Sequence, residues 1–343
     1  MRLFPPSIGI DLGTANTMVY VANQGVAVRQ PSVLLVDAAT KGRVAAVGEE
    51  ARYQMDRLPQ DLIGIHPLKA GTVVDDDMLV TMLRYFMIRA IGRSYLSKPK
   101  AVVSVSCTLP LVQRKMLMAA MQKAGGGKTL HLVEKPFVAA LGSGLPVYDP
   151  IGSLIVDIGA GTTDVAVLSL GGIVVAQSTP VGGIRMNEAL VNYIKREFDI
   201  LISDRVAEQV KLDLAAALPV AEIRKVRVRG RDLYSPKVTD IEFTSAQAYE
   251  ALREPCRAIL STIQWVLERT PPELAADIMR GGIHLTGGGS KLFGMDHYIA
   301  TETGIPTMVA NEPEDCSILG IGRLLEDPFR LNAMNTRGFL EGD

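Results

Sequence analysis

Cysteine is scarce in this chain, which carries three cysteines in 343 residues. The number is odd and the positions are far apart, which argues against a framework of disulfide bonds and fits a reducing compartment such as the cytoplasm. We therefore expect Cys107, Cys256 and Cys316 to be buried as small apolar side chains.

The chain also lacks paired histidines, excess charge and long apolar runs. Its four histidines show no helical pairing, which disfavours a metal site made from protein ligands alone. The net charge of −1 gives no general attraction to nucleic acid, so we expect no nucleic-acid partner. No apolar run reaches the roughly 18 residues that a membrane-spanning helix needs. A hydrophobic fraction of 48% and a length of 343 residues instead suit a soluble protein with two well-cored lobes.

One short motif is present twice. Residues 8–17 read IGIDLGTANT, and residues 154–164 read LIVDIGAGTTD. Each predicts a buried strand that enters a tight turn, where glycine lets the backbone approach a phosphate and threonine adds hydroxyl donors. We predict that both turns bind one triphosphate and that Asp11 and Asp157 hold a hydrated Mg²⁺ through water. The predicted phosphate-binding residues are Gly13, Thr14, Ala15, Asn16, Gly159, Ala160, Gly161, Thr162 and Thr163.

A third glycine-rich turn, GGIHLTGGGS at residues 281–290, predicts a strand followed by bare backbone against which adenine can lie. Upstream, Glu208 and Lys211 share one face of a helix predicted over residues 204–216 and could hold the ribose hydroxyls. Each feature alone is also compatible with a structural turn or a solvated helix face. Their order along the chain favours a nucleotide site. The predicted nucleoside-binding residues are Glu208, Lys211, Gly287, Gly288, Gly289 and Lys291.

In this order the motifs resemble the superfamily of actin, heat-shock chaperone and sugar kinase ATPases and, within it, the MreB family of bacterial actins. The similarity runs from Ile8 to about Leu325 and includes the strings GRS at 92–94, TPPELA at 270–275 and LTGGG at 285–289. The resemblance implies an actin-like α/β fold. Two duplicated ribonuclease-H-like lobes would surround a nucleotide cleft, and each would carry a smaller insertion subdomain. The expected subdomains are IA (1–34, 71–148 and 320–343), IB (35–70), IIA (149–183 and 247–319) and IIB (184–246).

The resemblance implies a protein that binds ATP or ADP with Mg²⁺ and polymerises with itself into cytoskeletal filaments. Such filaments organise cell shape and wall synthesis from the inner face of the cytoplasmic membrane, with membrane proteins of the rod complex as partners. Two alternatives on the same fold are a small-molecule kinase and a chaperone-type ATPase. A kinase would need a catalytic aspartate for the acceptor hydroxyl. A chaperone would need a peptide-binding domain, which we do not expect in the short polar tail.

The sequence departs from this family where a catalytic acid is expected. In the resembled family a strand ends in two acidic residues and proline, and the acid before proline orients the attacking water. Residues 133–136 here read VEKP, so Lys135 stands at that position, and an ammonium group cannot accept the proton of water. Glu134 is not expected to substitute, because neighbouring strand residues point to opposite faces. The candidate catalytic residues are therefore Lys135, Glu134 and Thr162, and we predict weak or absent ATP hydrolysis. The alternative is that another carboxylate orients the water, or that the turn around Lys135 shifts its register.

Two further segments bear on the same site. Ile184 stands where the family usually has an acid, which again removes negative charge from the phosphate region. The string GGGKT at 125–129 looks like the end of a P-loop, but Gln122 occupies the position of the first glycine and the segment follows a helix. We therefore predict a helix C-cap there and no phosphate binding.

The resemblance also implies a membrane anchor in the loop that contains Tyr95 and Leu96. Arg93, Lys98 and Lys100 flank this apolar pair and could contact anionic headgroups while it enters the interface. A filament would multiply the weak binding of each subunit. The alternative is a loop whose Tyr95 and Leu96 fold back onto the core.

Overall fold

A computed structural model describes residues 6–38, 42–55, 61–92, 98–127 and 129–327. The chain forms two compact units. Unit 1 contains the described residues within 1–150, 169–173 and 314–343, and unit 2 contains residues 151–168 and 174–313. The finer division into four subdomains stays a prediction. Across the described ranges, no helix is both long and apolar enough to cross a membrane.

Unit 1 contains two larger groups of strands and several helices. The strands are β1 (Ile8–Leu12), β2 (Asn16–Val21), β3 (Gly25–Pro31), β4 (Leu34–Asp37), β5 (Arg43–Val47), β6 (Leu62–Ile65), β7 (Leu68–Lys69), β8 (Thr72–Val73), β9 (Ala101–Val105) and β10 (Leu130–Glu134). The helices are α1 (Glu49–Met55), α2 (Asp76–Ile91), α3 (Leu111–Ala124), α4 (Lys135–Ser143) and, near the end of the chain, α10 (Cys316–Glu326).

Unit 2 is built in a similar way. Its strands are β11 (Ser153–Ile158), β12 (Thr163–Ser169), β13 (Gly172–Thr179), β14 (Ile200–Leu201), β15 (Lys225–Asp232), β16 (Val238–Thr244), β17 (Ile283–Thr286) and β18 (Thr307–Val309). Its helices are α5 (Gly183–Phe198), α6 (Asp204–Leu214), α7 (Ser245–Glu268), α8 (Pro272–Gly281) and α9 (Met295–Thr303), with a 3₁₀ turn at Gly288–Lys291.

The main sheets of the two units repeat one topology. In unit 1 the strand order is β10-β9-β1-β2-β3, and in unit 2 it is β18-β17-β11-β12-β13. The central strand β1 pairs antiparallel with β2 and parallel with β9, and β11 pairs antiparallel with β12 and parallel with β17. The predicted duplicated α/β fold is therefore confirmed. Each unit also has a smaller sheet, with strand order β5-β4-β6 in unit 1 and β14-β15-β16 in unit 2.

The central strands form because their residues are almost entirely apolar. β9 and β11 are buried along their whole length. Such continuous apolar runs are typical of strands covered on both faces. The buried core of unit 1 joins the strands to the apolar side of α2, and that of unit 2 joins them to α5 and α7. These cores fix the strand ends that carry the predicted site residues.

Helices α4 and α10 of unit 1 pack with their backbones in close contact. A methyl group added at Gly142 would collide with the carbonyl of Cys316, and one added at Gly320 would collide with the carbonyl of Val138. Glycine at both positions therefore permits this approach. The packing holds α4, whose first residue is Lys135.

The GGGKT segment is a helix C-cap, as predicted. Gly125 follows α3 with φ of 120°, and its backbone N–H donates to the carbonyls at the end of that helix. Gly127 N–H donates to the carbonyl of Pro99. Lys128 lies outside the described residues.

The cysteines agree with expectation at two of three positions. Cys256 and Cys316 are buried, whereas Cys107 is only partly buried. Burial raises the pKa of the Cys256 thiol to about 12, so this side chain behaves as a small apolar group at neutral pH.

Candidate functional site

The first predicted phosphate turn connects β1 to β2. Gly13 N–H donates to the carbonyl of Asn16 at 3.1 Å, which closes a tight hairpin. Ser32 supports this hairpin from the side, because its hydroxyl donates to the carbonyl of Gly13 at 2.7 Å and its N–H donates to the carbonyl of Ala15 at 2.8 Å. The Thr14 hydroxyl accepts from the N–H of Gly71 at 3.3 Å. The turn is thus held by bonds from outside its own sequence.

The second turn, between β11 and β12, repeats the closing bond. Gly159 N–H donates to the carbonyl of Thr162 at 2.8 Å, as Gly13 does in the first turn. The second turn is supported by the N-terminus of α5, whereas the first turn is supported by Ser32. Gly183 N–H donates to the carbonyl of Gly159 at 3.0 Å, and Ile184 N–H donates to the carbonyl of Ala160 at 2.9 Å. These bonds satisfy N–H groups that lack partners inside the helix.

Two threonines of the second turn have partners within the protein. Thr163 is fully buried, and its hydroxyl donates to the carbonyl of Val181 at 2.7 Å. Its side chain therefore holds the turn in shape. The Thr162 hydroxyl donates to the Asp164 carboxylate at 3.2 Å, and Ser178 donates to the same carboxylate.

A buried aspartate is the second-last residue of the central strand of each unit and accepts a hydrogen bond from a hydroxyl on the neighbouring parallel strand. Ser104 donates to Oδ1 of Asp11 at 2.6 Å, and Thr286 donates to Oδ1 of Asp157 at 3.0 Å. Each hydroxyl residue lies in register with its aspartate. Sequence reasoning missed Ser104 and Thr286. The available signal was Ser104 as the single polar residue of β9, and Thr286 as the last residue of β17, which also contains His284.

Lys135 lies at the first position of α4, directly after β10. Its Nζ is 3.7 Å from Oδ1 of Asp11, and the two side chains are 19% and 6% exposed. A positive charge at a helix N-terminus is unfavourable with respect to the helix dipole. The nearby carboxylate offsets that effect, since opposite charges at this separation attract strongly where water is largely excluded. Lys135 thus places a cation beside the aspartate of the first phosphate turn.

The expected strand alternation at this point is wrong, because β10 ends at Glu134 and Lys135 is helical. The two side chains nevertheless have different partners. Arg114 on α3 donates to Oε1 of Glu134 at 3.2 Å, and the two side chains are only 12% and 19% exposed. Pro136, at the second helical position, was the signal for a helix start here.

The predicted ribose-binding pair on α6 is connected to α5. Lys211 Nζ donates to Oε2 of Glu208 at 2.8 Å and to the carbonyl of Gly183 at 3.1 Å. Asn187 Nδ2 donates to the same Glu208 oxygen at 2.7 Å. This network fixes the Glu208 carboxylate, and Asn187 is a further residue that sequence reasoning missed. The helix ends at Leu214, two residues before the predicted end.

The third glycine-rich turn follows β17 and packs on the end of β11. Gly287 has φ of 78° and would bring a Cβ atom against the carbonyl of Ile158, so only glycine fits there. Gly288 is exposed, Gly289 is partly buried and Lys291 is exposed at the end of the 3₁₀ turn. Bare backbone is therefore presented where the sequence predicted it.

Each turn, taken by itself, offers donors that suit a phosphate group. A Cβ atom at Gly13 would lie 2.5 Å from the carbonyl oxygen of Asn16, and one at Gly159 would lie 3.1 Å from that of Thr162, so the closed turns favour glycine. Backbone N–H groups and hydroxyls are the donors that phosphate accepts. Ile184, in the first turn of α5, is 40% exposed and adds no charge.

The fit to Mg²⁺ differs between the two aspartates. Asp157, beside a threonine hydroxyl, offers the oxygen ligands that Mg²⁺ prefers. Asp11 does not fit a magnesium ion in this arrangement, because the Lys135 ammonium lies beside its carboxylate. In the described part of the chain, no cluster of three or more His, Cys, Asp or Glu side chains could hold a metal.

The predicted membrane residues Tyr95 and Leu96 lie outside the described residues, as does Arg93. Lys98 and Lys100 lie within them and are exposed. The membrane loop therefore stays a prediction.

A duplicated α/β fold with one glycine-rich hairpin in each half defines an actin-like protein. Comparison with known sequences narrows this class. A family model described as MreB/Mbl protein matches residues 5–333. The chain belongs to the MreB/Mbl family.

Relatives and solved structures match along nearly the whole chain. The cell shape-determining protein Mbl of Bacillus subtilis (strain 168) is 40% identical over 329 residues, which cover 96% of this chain and 98% of Mbl. The cell shape-determining protein MreB of Escherichia coli (strain K12) is 39% identical over 328 residues, 94% of each chain. MreB5 of Spiroplasma citri bound to AMPPNP has a TM-score of 0.90 at 30% identity, covering 98% of this chain and 100% of that one.

Two further structures support the same fold. MreB5 of Spiroplasma citri bound to ADP has a TM-score of 0.88 at 29% identity, covering 96% of this chain and 99% of that one. A MamK double helical filament has a TM-score of 0.77 at 22% identity, covering 93% and 98%, and this similarity concerns the fold alone.

Proposed function

We propose that this protein is an ATP- and ADP-binding bacterial actin whose polymers help to determine cell shape and hydrolyse ATP slowly. The observation that carries the proposal is the same glycine-closed hairpin in both units, each preceded by a buried aspartate. The two structures of Spiroplasma citri MreB5, bound to ADP and to AMPPNP, support nucleotide binding by a relative of this fold.

Each group of site residues has one proposed role. The backbone of residues 13–16 and 159–162 binds phosphate, and Thr163 and Ser32 keep the turns in shape. Glu208 and Lys211 bind the ribose hydroxyls, with Asn187 orienting Glu208. The backbone of residues 287–289 lies against adenine, with Lys291 beside it. Bound ATP supplies the phosphoanhydride bond whose cleavage would destabilise a polymer.

The metal contacts follow from the charges beside the aspartates. When Mg²⁺ accompanies ATP, Asp157 would hold it through water, since Mg²⁺ keeps most of its hydration shell and takes one or two carboxylates. The predicted contribution of Asp11 requires that the Lys135 ammonium first move away.

Slow hydrolysis follows from the residues where β10 ends and α4 begins. The Lys135 ammonium group cannot accept a proton from water, and Arg114 engages the adjacent carboxylate of Glu134. Thr162 can orient water through its hydroxyl but is not a base. Loss of a positioned base typically lowers a rate by about 10² to 10⁴.

Polymerisation and location rest on the family. The relatives in Bacillus subtilis and Escherichia coli are cell shape-determining proteins, and MamK, of the same fold, forms a double helical filament. We place this protein in the cytoplasm, peripheral on the inner face of the membrane. Its proposed partners are other copies of itself and membrane proteins of the rod complex.

Calorimetric titration with ATP tests the nucleotide site. Asp157→Ala should abolish binding, because the Asp157 carboxylate accepts the Thr286 hydroxyl that precedes the third glycine-rich turn, and this contact does not depend on Mg²⁺. Asp240→Ala, an exposed strand position, should bind normally. Unchanged ATP affinity in Asp157→Ala would show that the site is assigned wrongly.

Sedimentation with ATP across a concentration series tests polymerisation. We expect a critical concentration, below which no pellet forms. A protein that binds ATP but pellets at no concentration, with or without lipid, would instead favour a monomeric kinase-like role.

A further inference from the structure

The Asp11 carboxylate is a buried charge at the end of the central strand of unit 1. Asp11 is 4% exposed, and Ser104 donates a hydrogen bond to it. A single hydroxyl does not compensate a buried carboxylate, so a cation is needed beside it. In a nucleotide site that cation is ordinarily Mg²⁺, which also offsets the charge of the phosphates.

Here the chain itself places a cation at that carboxylate. Lys135 Nζ lies 3.7 Å from Oδ1 of Asp11, and its side chain is only 19% exposed. The backbone at Lys135 is fixed, because α4 begins at this residue and is held against α10 by the contacts at Gly142 and Gly320. The folded unit therefore keeps the ammonium group within reach of Asp11.

The positive charge of Lys135 is also unfavourably placed with respect to the dipole of α4. The N-terminus of α4 already carries partial positive charge, and an ammonium group there is disfavoured unless anions compensate it. Asp11 supplies one negative charge, and the phosphates of a nucleotide at the adjacent turn would supply more. The Lys135 ammonium can therefore compensate the charge of both the Asp11 carboxylate and the phosphates.

We propose that the Lys135 ammonium replaces Mg²⁺ at Asp11, so that this protein binds ATP with little dependence on a divalent cation. This inference rests on the proposed nucleotide-binding function and adds to it the cation that the site uses. A tethered ammonium cannot be removed by a chelator, whereas Mg²⁺ can.

The test is calorimetric titration of the full chain with ATP, once with Mg²⁺ and once with EDTA in excess. The natural protein should change its dissociation constant by less than about threefold between the two conditions. Lys135→Met removes the charge and keeps most of the side-chain volume. It should bind at least about tenfold more weakly in EDTA than in Mg²⁺, because an uncompensated buried carboxylate then repels the phosphates.

Two controls separate charge from folding. Lys135→Arg keeps the cation and should remain insensitive to EDTA. Lys123→Met removes an exposed lysine of the same unit that is paired with Asp76, and it should behave like the natural protein. Circular dichroism and thermal melting establish that each variant is folded.

The possible results separate the role of Lys135 at Asp11 from the nucleotide-binding function itself. ATP binding by the natural protein in Mg²⁺ alone would overturn the inference and leave the nucleotide-binding function intact. Equal binding of Lys135→Met in both conditions would overturn the role of Lys135. Absence of ATP binding in both conditions would overturn the proposed function, and the inference with it.

Discussion

Arg114 on α3 donates a hydrogen bond to the carboxylate of Glu134 at the end of β10, at 3.2 Å, and both side chains are largely buried. A charge-assisted bond in such a place is strong and directional. Glu134 is therefore engaged as a structural acceptor, although it neighbours Lys135, the position at which the sequence resemblance implies a catalytic acid.

This pair leads to the first prediction. Glu134→Gln should leave the rate of phosphate release from ATP within about twofold of the natural rate, because a group that is not a base contributes none of the usual 10²-fold or larger effect. Glu242→Gln, an exposed strand position, is the matched control. A large further loss of phosphate release in Glu134→Gln alone would show that Glu134 orients the water.

A second prediction concerns the ribose. Lys211 and Glu208 are held together at 2.8 Å, with Asn187 on the same carboxylate oxygen. If this pair binds the ribose hydroxyls, the natural protein should bind ATP roughly tenfold more tightly than 2′-deoxy-ATP, as expected for hydrogen bonds to charged groups. Competition titrations should show that Lys211→Met loses most of this preference.

Lys225→Met is the control for that experiment, since Lys225 is an exposed lysine paired with Glu242 in the same unit. It should retain the preference for ATP. Equal affinity of the natural protein for both nucleotides would contradict the assignment of the ribose site.

The third prediction concerns packing between α4 and α10. Gly320→Ala places a methyl group against the carbonyl of Val138, so the helices must separate. We expect the free energy of unfolding in urea to fall by about 1–3 kcal/mol, the usual cost of overpacking. Gly281→Ala, at the end of α8 with nothing nearby, is the control and should cost nothing. Unchanged stability of Gly320→Ala would contradict the close packing.

Much of the architecture could be predicted from sequence. The two Asp-x-Gly turns are repeated in the chain, and a repeat of this kind predicts both the duplicated sheets and the position of each turn. Helix α6 was also predicted from sequence, since it begins at the predicted residue, Asp204, and ends two residues before the predicted end. These features depend on local sequence.

The charge arrangement could not be predicted in this way. The pairing of Lys135 with Asp11 joins residues 124 positions apart and depends on where β10 ends and α4 begins. Strand alternation was extended one residue too far, and the register that sets Ser104 beside Asp11 is invisible in a single sequence. The partners of Asp11 therefore depend on tertiary contacts, which the local sequence pattern does not specify.

The fourth prediction concerns the membrane. The protein should cosediment with anionic liposomes, and replacing both Tyr95 and Leu96 by serine should weaken this binding. Added salt should weaken it too, because Arg93, Lys98 and Lys100 contribute through charge. Undiminished binding by the double variant would contradict this anchor. The next candidates would be Leu3 and Phe4, the apolar residues in the sequence MRLFPP at positions 1–6.

The most direct test of the account is phosphate release by the natural protein and by Lys135→Glu, at matched polymer mass. The Lys135 ammonium cannot accept the proton of the attacking water, so we predict slow phosphate release and long-lived filaments for the natural protein. A glutamate can accept that proton, so Lys135→Glu should release phosphate about 10² times faster or more and form shorter-lived filaments. Brisk release by the natural protein, at a rate that Lys135→Glu does not raise, would contradict the central claim that Lys135 makes this bacterial actin hydrolyse ATP slowly.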